Sequence, residues 1–467
     1  MQTDNREKRF SWQEYSLLLL CFLICLIGAF LLSSDQCPDE AGRLLLTEWI
    51  VQTSTLPSGN EIQTIIIPEN VARVNAVYPT VTREIGAWGF SYALRPFFSS
   101  MAGAFFQKLT SCFTDAPRIL LAAARMCSVL SITFCCFFCL RLGRRLFVKR
   151  SSVLLFAAFV CFLPQVMFLG MYLNNDSLSL CAVCMMLYYL IEGFDLRWPV
   201  KSCIGLTVGF SIGLLSYYAI YGWLLMGAVF CVFAVLTDPE IPYKGRLIFR
   251  RAGLILGICV LLAGWFFIRN ACLHNGDFLG IASEKVSRAH MREQGFVLQE
   301  YICYRDEGMS AAQFLRFKGF EWLRMNAESF IGVFGYMLIY LPKLQYGIYY
   351  TFLGFAVILF FAVLSRQKTE RRDNMLMLMM LLSAIITVVL HFWQSYARDY
   401  QPQGRYVITL IIPLAYMMVY GLDKTVLAVR DPKPGKAAEL NPAAVLTVLW
   451  LVLFAWAACG TMSRMLT

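Results

Sequence analysis

From residue 15 to residue 460 the chain alternates between long apolar runs and short polar links. Eleven runs predict membrane-crossing helices, at roughly 15–33, 118–140, 152–170, 177–192, 202–216, 218–236, 252–268, 348–365, 375–394, 405–421 and 442–460. A helix crosses ~30 Å of hydrocarbon in about 20 residues, the length these runs approach. The expected fold is all-α, a polytopic transmembrane helix bundle forming one integral membrane domain over residues 1–467. Two long segments, 34–117 and 269–347, interrupt the rhythm. Each holds a tempting apolar stretch. Arg95-Pro96 breaks Phe90–Phe106, which a free-standing span tolerates poorly, and Ser329–Leu341 is too short. Both read as interfacial or re-entrant helices. So does 39–53, where Leu44, Leu45, Trp49 and Ile50 are expected on the membrane and Arg43, Glu48 and Gln52 in water. Residues 309–326 repeat the pattern, with Phe314, Phe317, Trp322 and Met325 set against Arg316, Lys318 and Arg324. The segment RDPKPGKAAELN, 430–441, reads as a charged link.

Composition agrees. The chain is 58% hydrophobic and 15% charged, with mean hydropathy +0.60, against about 25% charged in a soluble domain. The net charge of +11 does not point to nucleic acid, because Lys and Arg are scattered over short loops beside apolar runs. They gather after residues 140, 192, 236, 365 and 421, whereas 173–176 and 216–217 hold none and 395–404 holds only Arg398. The positive-inside rule then places the N-terminus in the cytoplasm and both long loops outside. The first run follows Arg6, Lys8 and Arg9, but Ser33-Ser34-Asp35-Gln36 is a poor cleavage site, so a retained helix is expected. Of 17 cysteines, Cys37, Cys112, Cys272 and Cys303 fall in outer segments, which allows one or two disulfides. The others lie inside spans, where a thiol acts as a small apolar residue.

Candidate chemistry clusters at the expected outer face, and each element also has a plainer explanation. Asp39 and Glu40, in CPDE, open the surface helix. Asp39 suits a helix cap and Glu40 the positive helix end; alternatively, one carboxylate takes a proton from an acceptor hydroxyl. Asn174, Asn175 and Asp176, in LNND, make either a tight turn or a polar patch for sugar hydroxyls. Arg125 lies about two turns inside the second run. It snorkels outward, or pairs with an outer carboxylate or a bound phosphate. Arg269 ends GWFFIRN, as an interface anchor or a lipid-phosphate contact. Arg405 and Tyr406, in QGRY, open the tenth run against the charge trend. The forked guanidinium of Arg405 suits a phosphate. His274, His290 and His391 are too scattered for a recognisable metal site.

Together PDE, the long first outer loop, LNND, GWFFIRN, FIGVFG at 330–335 and QGRY resemble a bacterial family of polytopic membrane proteins with GT-C-type glycosyltransferase architecture. The layout is similar, more distantly, to protein O-mannosyltransferases and lipid A aminoarabinose transferases. The resemblance implies an inverting transferase in a bacterial cytoplasmic membrane, its site facing outside. It would move a sugar from a polyprenyl-phosphate carrier to a glycan, lipid or protein acceptor. It implies Asp39 as base, with Glu40 supporting it or helping to hold a divalent cation, Mg or Mn. Arg405 and Arg269 would bind the donor phosphate. Arg125, from its place inside a span, is a further candidate for that phosphate, and Asn174, Asn175, Asp176 and Tyr406 are the candidates for substrate binding. Two departures stand out: Gly42 and Arg43 occupy the place of a frequent histidine, and Ser216-Tyr217-Tyr218 that of a frequent lysine. A lipid or glycan flippase and a non-catalytic scaffold remain the alternatives.

Overall fold

The computed structural model describes residues 9–58, 73–78, 92–293, 295, 301–429 and 441–465. Arg6, Lys8 and the link 430–440 lie outside the described residues. The main helices are α1 (Trp12–Leu31), α2 (Glu40–Thr53), α3 (Phe98–Thr110), α4 (Pro117–Leu146), α5 (Arg150–Cys161), α6 (Pro164–Leu169), α7 (Asp176–Leu196) and α8 (Val200–Leu214). Then follow α9 (Tyr221–Thr237), α10 (Lys244–Leu273), α11 (Ile281–Glu293), α12 (Ala311–Gly332), α13 (Lys343–Leu364), α14 (Arg371–Ala397), α15 (Ile411–Val429) and α16 (Pro442–Gly460).

Among the described residues, 9 helices are long and apolar enough to cross a membrane. Two shorter apolar helices, α5 and α8, complete the set, so each of the expected runs has its helix. The third run differs in detail. Pro164 begins a new helix after the break at Phe162-Leu163, because proline lacks the N–H that would continue α5. α10 passes through a π turn at Val260–Gly264. α4 and α7 form the centre of the bundle, buried over most of their length.

The interfacial segments depart from expectation. α2 does not lie on the membrane with one face in water. Leu44 and Leu45 pack on Val74, Tyr78 and Leu121 inside the protein, and Arg43 and Glu48 are buried as well. Helical periodicity identified two faces but not what covers the polar one. In α12, Phe314 and Trp322 are buried while Phe317 is exposed. The stretch Ser329–Leu341 is the end of α12 followed by a strand pair, Val333–Phe334 with Ile339–Tyr340. Among the described residues no disulfide forms: Cys37, Cys112, Cys272 and Cys303 are all free thiols.

The two ends of the bundle differ chemically. At one end Arg145 pairs with Glu192 at 3.0 Å and Arg372 with Asp195 at 3.4 Å. α7 runs from Asp176 to Leu196, 21 residues, so Asp176 lies about 30 Å from that end. Asp39 and Arg405 sit at the Asp176 end.

Candidate functional site

Asp39 is placed by backbone geometry. Pro38 restricts Cys37 to extended backbone, observed at φ −107° and ψ 104°. Asp39 then turns into the left-handed region, at φ 62°. Aspartate tolerates this region better than most residues, and such outliers cluster at functional sites. Asp39 stands at the N-cap position of α2, yet its side chain makes no capping hydrogen bond. It turns instead to Arg405, whose Nη2 donates to Oδ2 at 2.6 Å. The Arg405 side chain is 7% exposed and that of Asp39 30%, so the carboxylate keeps an open side. Burial pushes the Asp39 pKa up. The Arg405 and Arg43 charges and hydrogen bonds from Arg405 and Tyr92 outweigh it and hold the carboxyl below its ordinary range.

Arg405 is positioned by Gly404. A Cβ there would stand 2.2 Å from the Phe330 amide nitrogen and 2.4 Å from the Asn326 carbonyl oxygen. Only glycine lets this turn lie against α12, where its N–H donates to Ser329 Oγ at 2.7 Å. Tyr406 lies beneath the Arg405 guanidinium, 5.0 Å from ring centroid to Cζ. Its ring stacks on Tyr217 at 5.7 Å and 7°, and its hydroxyl donates to Gln401 at 2.6 Å. His391 approaches the same ring at 5.4 Å and is itself held by Asn326 at 2.7 Å.

Sequence reasoning missed Arg43. It lies one helical turn beyond Asp39 and is 6% exposed. Its Cζ sits 4.7 Å over the Tyr92 ring. The guanidinium has no hydrogen bond or ion pair among the described residues, and its Nε is shut from solvent without a partner. A buried cation without a bonded anion is costly. The signal was the i, i+4 spacing from Asp39, which puts both on one face. Asp176 is the complementary case. It is 6% exposed, lies in the field of Arg405, Arg43 and Asp39, and meets no donor except its own N–H among the described residues. Among the described residues Arg405 Nε and Tyr172 Oη are also buried without partners. The pocket thus holds two arginines, two aspartates and three tyrosines (Tyr172, Tyr217, Tyr406), with unfilled polar valences on Arg43, Arg405, Asp176 and Tyr172.

The other sequence candidates separate from this pocket. Glu40 and Arg125 pair with each other at 2.6 Å, with side chains 0% and 1% exposed. The five N–H groups of Arg125 meet Glu40 twice, the Ala29 and Leu32 carbonyls, and Cys37 Sγ. Glu40 also accepts from the Leu173 N–H at 2.6 Å and from the Tyr78 hydroxyl. Neither residue has valence left for a ligand, so both are corrected from site residues to a buried strut tying α2 to α4 and to the turn before α7. Arg269 donates to the carbonyls of Leu56 and Pro57. It lies past the far end of α2, about 20 Å from Asp39. Asn174 is a turn residue: its Nδ2 meets the Leu169 and Tyr172 carbonyls, both at 2.7 Å, and its Oδ1 caps the Ser177 N–H at 2.8 Å. Asn175 Nδ2 bridges the Pro96 and Ser216 carbonyls at 3.0 and 2.8 Å, leaving only Oδ1 unpartnered.

The expected Mg or Mn site does not fit this donor set. Asp39 is held by Arg405 and Glu40 by Arg125, and divalent cations of this kind want several free oxygen ligands. Among the described residues the one close group of three metal-capable side chains is Cys135, Cys139 and Cys184, deep in the bundle.

A second polar cluster lies near the pocket. Arg95 Nη2 donates to both oxygens of Glu284, at 2.7 and 2.6 Å. Asn270 holds the Leu94 carbonyl at 3.0 Å. Burial pushes the Asp399 carboxyl up to about 6, against a hydrogen bond from Gln401.

No protein-family model matches the chain, and neither does any curated protein sequence. The similar solved structures include two of ArnT from Cupriavidus metallidurans. The form bound to undecaprenyl phosphate superposes with a TM-score of 0.50 at 13% identity, over 96% of this chain and 70% of that one. The apo form gives 0.32 at 11% identity, over 93% and 84%. The likeness to the first, together with the helix order, shows a multi-pass membrane protein with the GT-C-type fold expected from the sequence.

Proposed function

We propose that this chain is a GT-C-type membrane glycosyltransferase that moves a sugar from a polyprenyl-phosphate carrier to a cell-envelope acceptor, with inversion. One observation carries the reading. A half-open carboxylate, Asp39, is held by one buried arginine beside a second that has no bonded anion among the described residues, in a single pocket at one end of the bundle. The fold shared with a protein captured with undecaprenyl phosphate agrees with a lipid-phosphate donor.

The chemistry follows from the charges. The acceptor oxygen attacks the anomeric carbon as its hydroxyl proton passes to Asp39. The bond from that carbon to the phosphate oxygen breaks, and the lipid phosphate leaves with the electron pair. Arg43 and the unpartnered Nε of Arg405 are positioned to neutralise that anion, and fixed donors in a dry pocket cost no reorganisation. Phosphate binding would also draw Arg405 away from Asp39, which frees a carboxylate otherwise too strongly paired to act as a base. The Tyr217–Tyr406 stack offers a flat wall of the kind that packs against a sugar ring. The pocket is taken to face outside a bacterial cytoplasmic membrane, by the charge pattern of the loops.

The direct test is reconstitution in vesicles with polyprenyl-phosphate sugars and envelope acceptors. Donor turnover that depends on Asp39 supports the proposal. Transbilayer movement of the lipid with no glycosidic bond formed would instead establish a flippase.

A further inference from the structure

A second cavity lies away from the Asp39 pocket, between α8, α9 and α10. Its volume is about 340 Å³, and its walls include Trp198, Phe210, Leu224, Val235 and Ile255. Every lining residue is apolar except Arg251. Trp198 follows α7 directly, so this end of the cavity lies a helix length, about 30 Å, from Asp176. Arg251 is near the start of α10, whereas Arg269, which meets the chain after α2, is near its end. The charged end of the cavity is therefore at the membrane face opposite the proposed active site. It opens sideways past Val232 and Leu256, which are 40% and 66% exposed.

Arg251 has no hydrogen bond or ion pair among the described residues, and its Nε is buried without a partner. A guanidinium at the rim of an apolar cleft between spans is costly unless an anion meets it. Phosphate oxygens match its fork, and basic pockets between spans bind anionic headgroups. The rest of the cavity excludes a polar ligand. Its volume is at the small end for ligand sites, room for one chain rather than a long branched isoprenoid.

We propose that this cavity seats an acyl chain of an anionic phospholipid whose phosphodiester pairs with Arg251, a lipid site separate from the donor site. The inference does not depend on the transferase reading.

Native mass spectrometry of the full-length protein in detergent tests it. Phosphatidylglycerol, phosphatidylcholine with the same chains, and a polyprenyl phosphate are the probes. Phosphatidylglycerol is expected to be retained about tenfold better than phosphatidylcholine. Arg251→Gln should remove that preference and Arg251→Lys should keep it. Ala252→Leu, which fills the cavity, should lower retention of both phospholipids. Arg405→Ala should change neither. Equal retention of the two phospholipids by the unaltered protein overturns the proposal. So does a preference that survives Arg251→Gln, or displacement of phosphatidylglycerol by the polyprenyl phosphate in an Arg251-dependent way.

Discussion

Arg405 donates to the Asp39 carboxylate at 2.6 Å, across 366 positions of sequence. The contact joins the start of α2 to the turn that opens the tenth span. If Asp39 is the base and Arg405 its partner, Asp39→Asn should lower transfer by about 10²–10⁴-fold, the usual range for general base catalysis. Arg405→Lys should also impair it, because an ammonium lacks the planar fork that a phosphate would engage in drawing Arg405 off Asp39. Initial rates in reconstituted vesicles, beside melting curves, check this. Near-normal turnover in a folded Asp39→Asn protein would remove Asp39 from the chemistry.

Arg43 is expected to act on the donor rather than on folding. Arg43→Gln should weaken binding of a polyprenyl phosphate by about 1.5–3 kcal/mol, the scale for hydrogen bonds to charged groups. Removing a buried charge that has no bonded anion among the described residues should leave thermal stability unchanged or raise it. Binding to the purified variant, measured with its melting temperature, separates the outcomes. Unchanged affinity with lowered stability would assign Arg43 to the scaffold.

Glu40 and Arg125 should behave in the opposite way. Glu40→Gln leaves a buried guanidinium with less than its full complement, and breaking such a pair costs about 3–5 kcal/mol. The double change Glu40→Gln with Arg125→Met should recover part of that loss. Detergent melts of the single and double variants form the required cycle. A fully stable Glu40→Gln protein without activity would return Glu40 to the site.

Asp399 gives a pH signature. Its folded pKa is raised to about 6 by burial, above the ordinary carboxylate value near ~3.9. Between those values the folded state holds more protons than the unfolded one, so this group's contribution to stability falls as pH rises through the window. Asp399→Asn should flatten that slope between about pH 4 and 6. Asp39 has the opposite sign, because its folded pKa is lowered. Its stabilising contribution is present above the unfolded value and is lost as pH falls through the folded one. Melting temperatures across pH for both Asn variants test the two signs, and identical slopes in the unaltered and Asp399→Asn proteins would contradict the first.

Gly404→Ala should disrupt the site through the backbone that carries Arg405. The added methyl meets backbone of α12 at 2.2–2.5 Å, and backbone cannot step aside as a flexible side chain can. A marked drop in melting temperature with loss of donor binding is expected. A stable, active Gly404→Ala protein would show that the turn tolerates a shift.

The sequence by itself determined the helices and marked Asp39 and Arg405 as candidates. Crossing a bilayer demands a long apolar run, so each span left a local mark. Asp39 and Arg405 stood out because charge at a membrane boundary is conspicuous. What the other charges do depended on partners distant in sequence, and only the tertiary structure decided it. Glu40 and Arg125 looked like site residues because neither run shows that they face each other, 85 positions apart. Arg43 looked solvated because periodicity assigns a residue to a helix face, not to the protein or water that covers it. Asn174 and Asp176 are near neighbours in one turn, yet one is used up by backbone and the other is left open. Hydropathy is a property of a segment. Whether a buried charge is satisfied depends on atoms brought together from remote segments, and that is where this site was made.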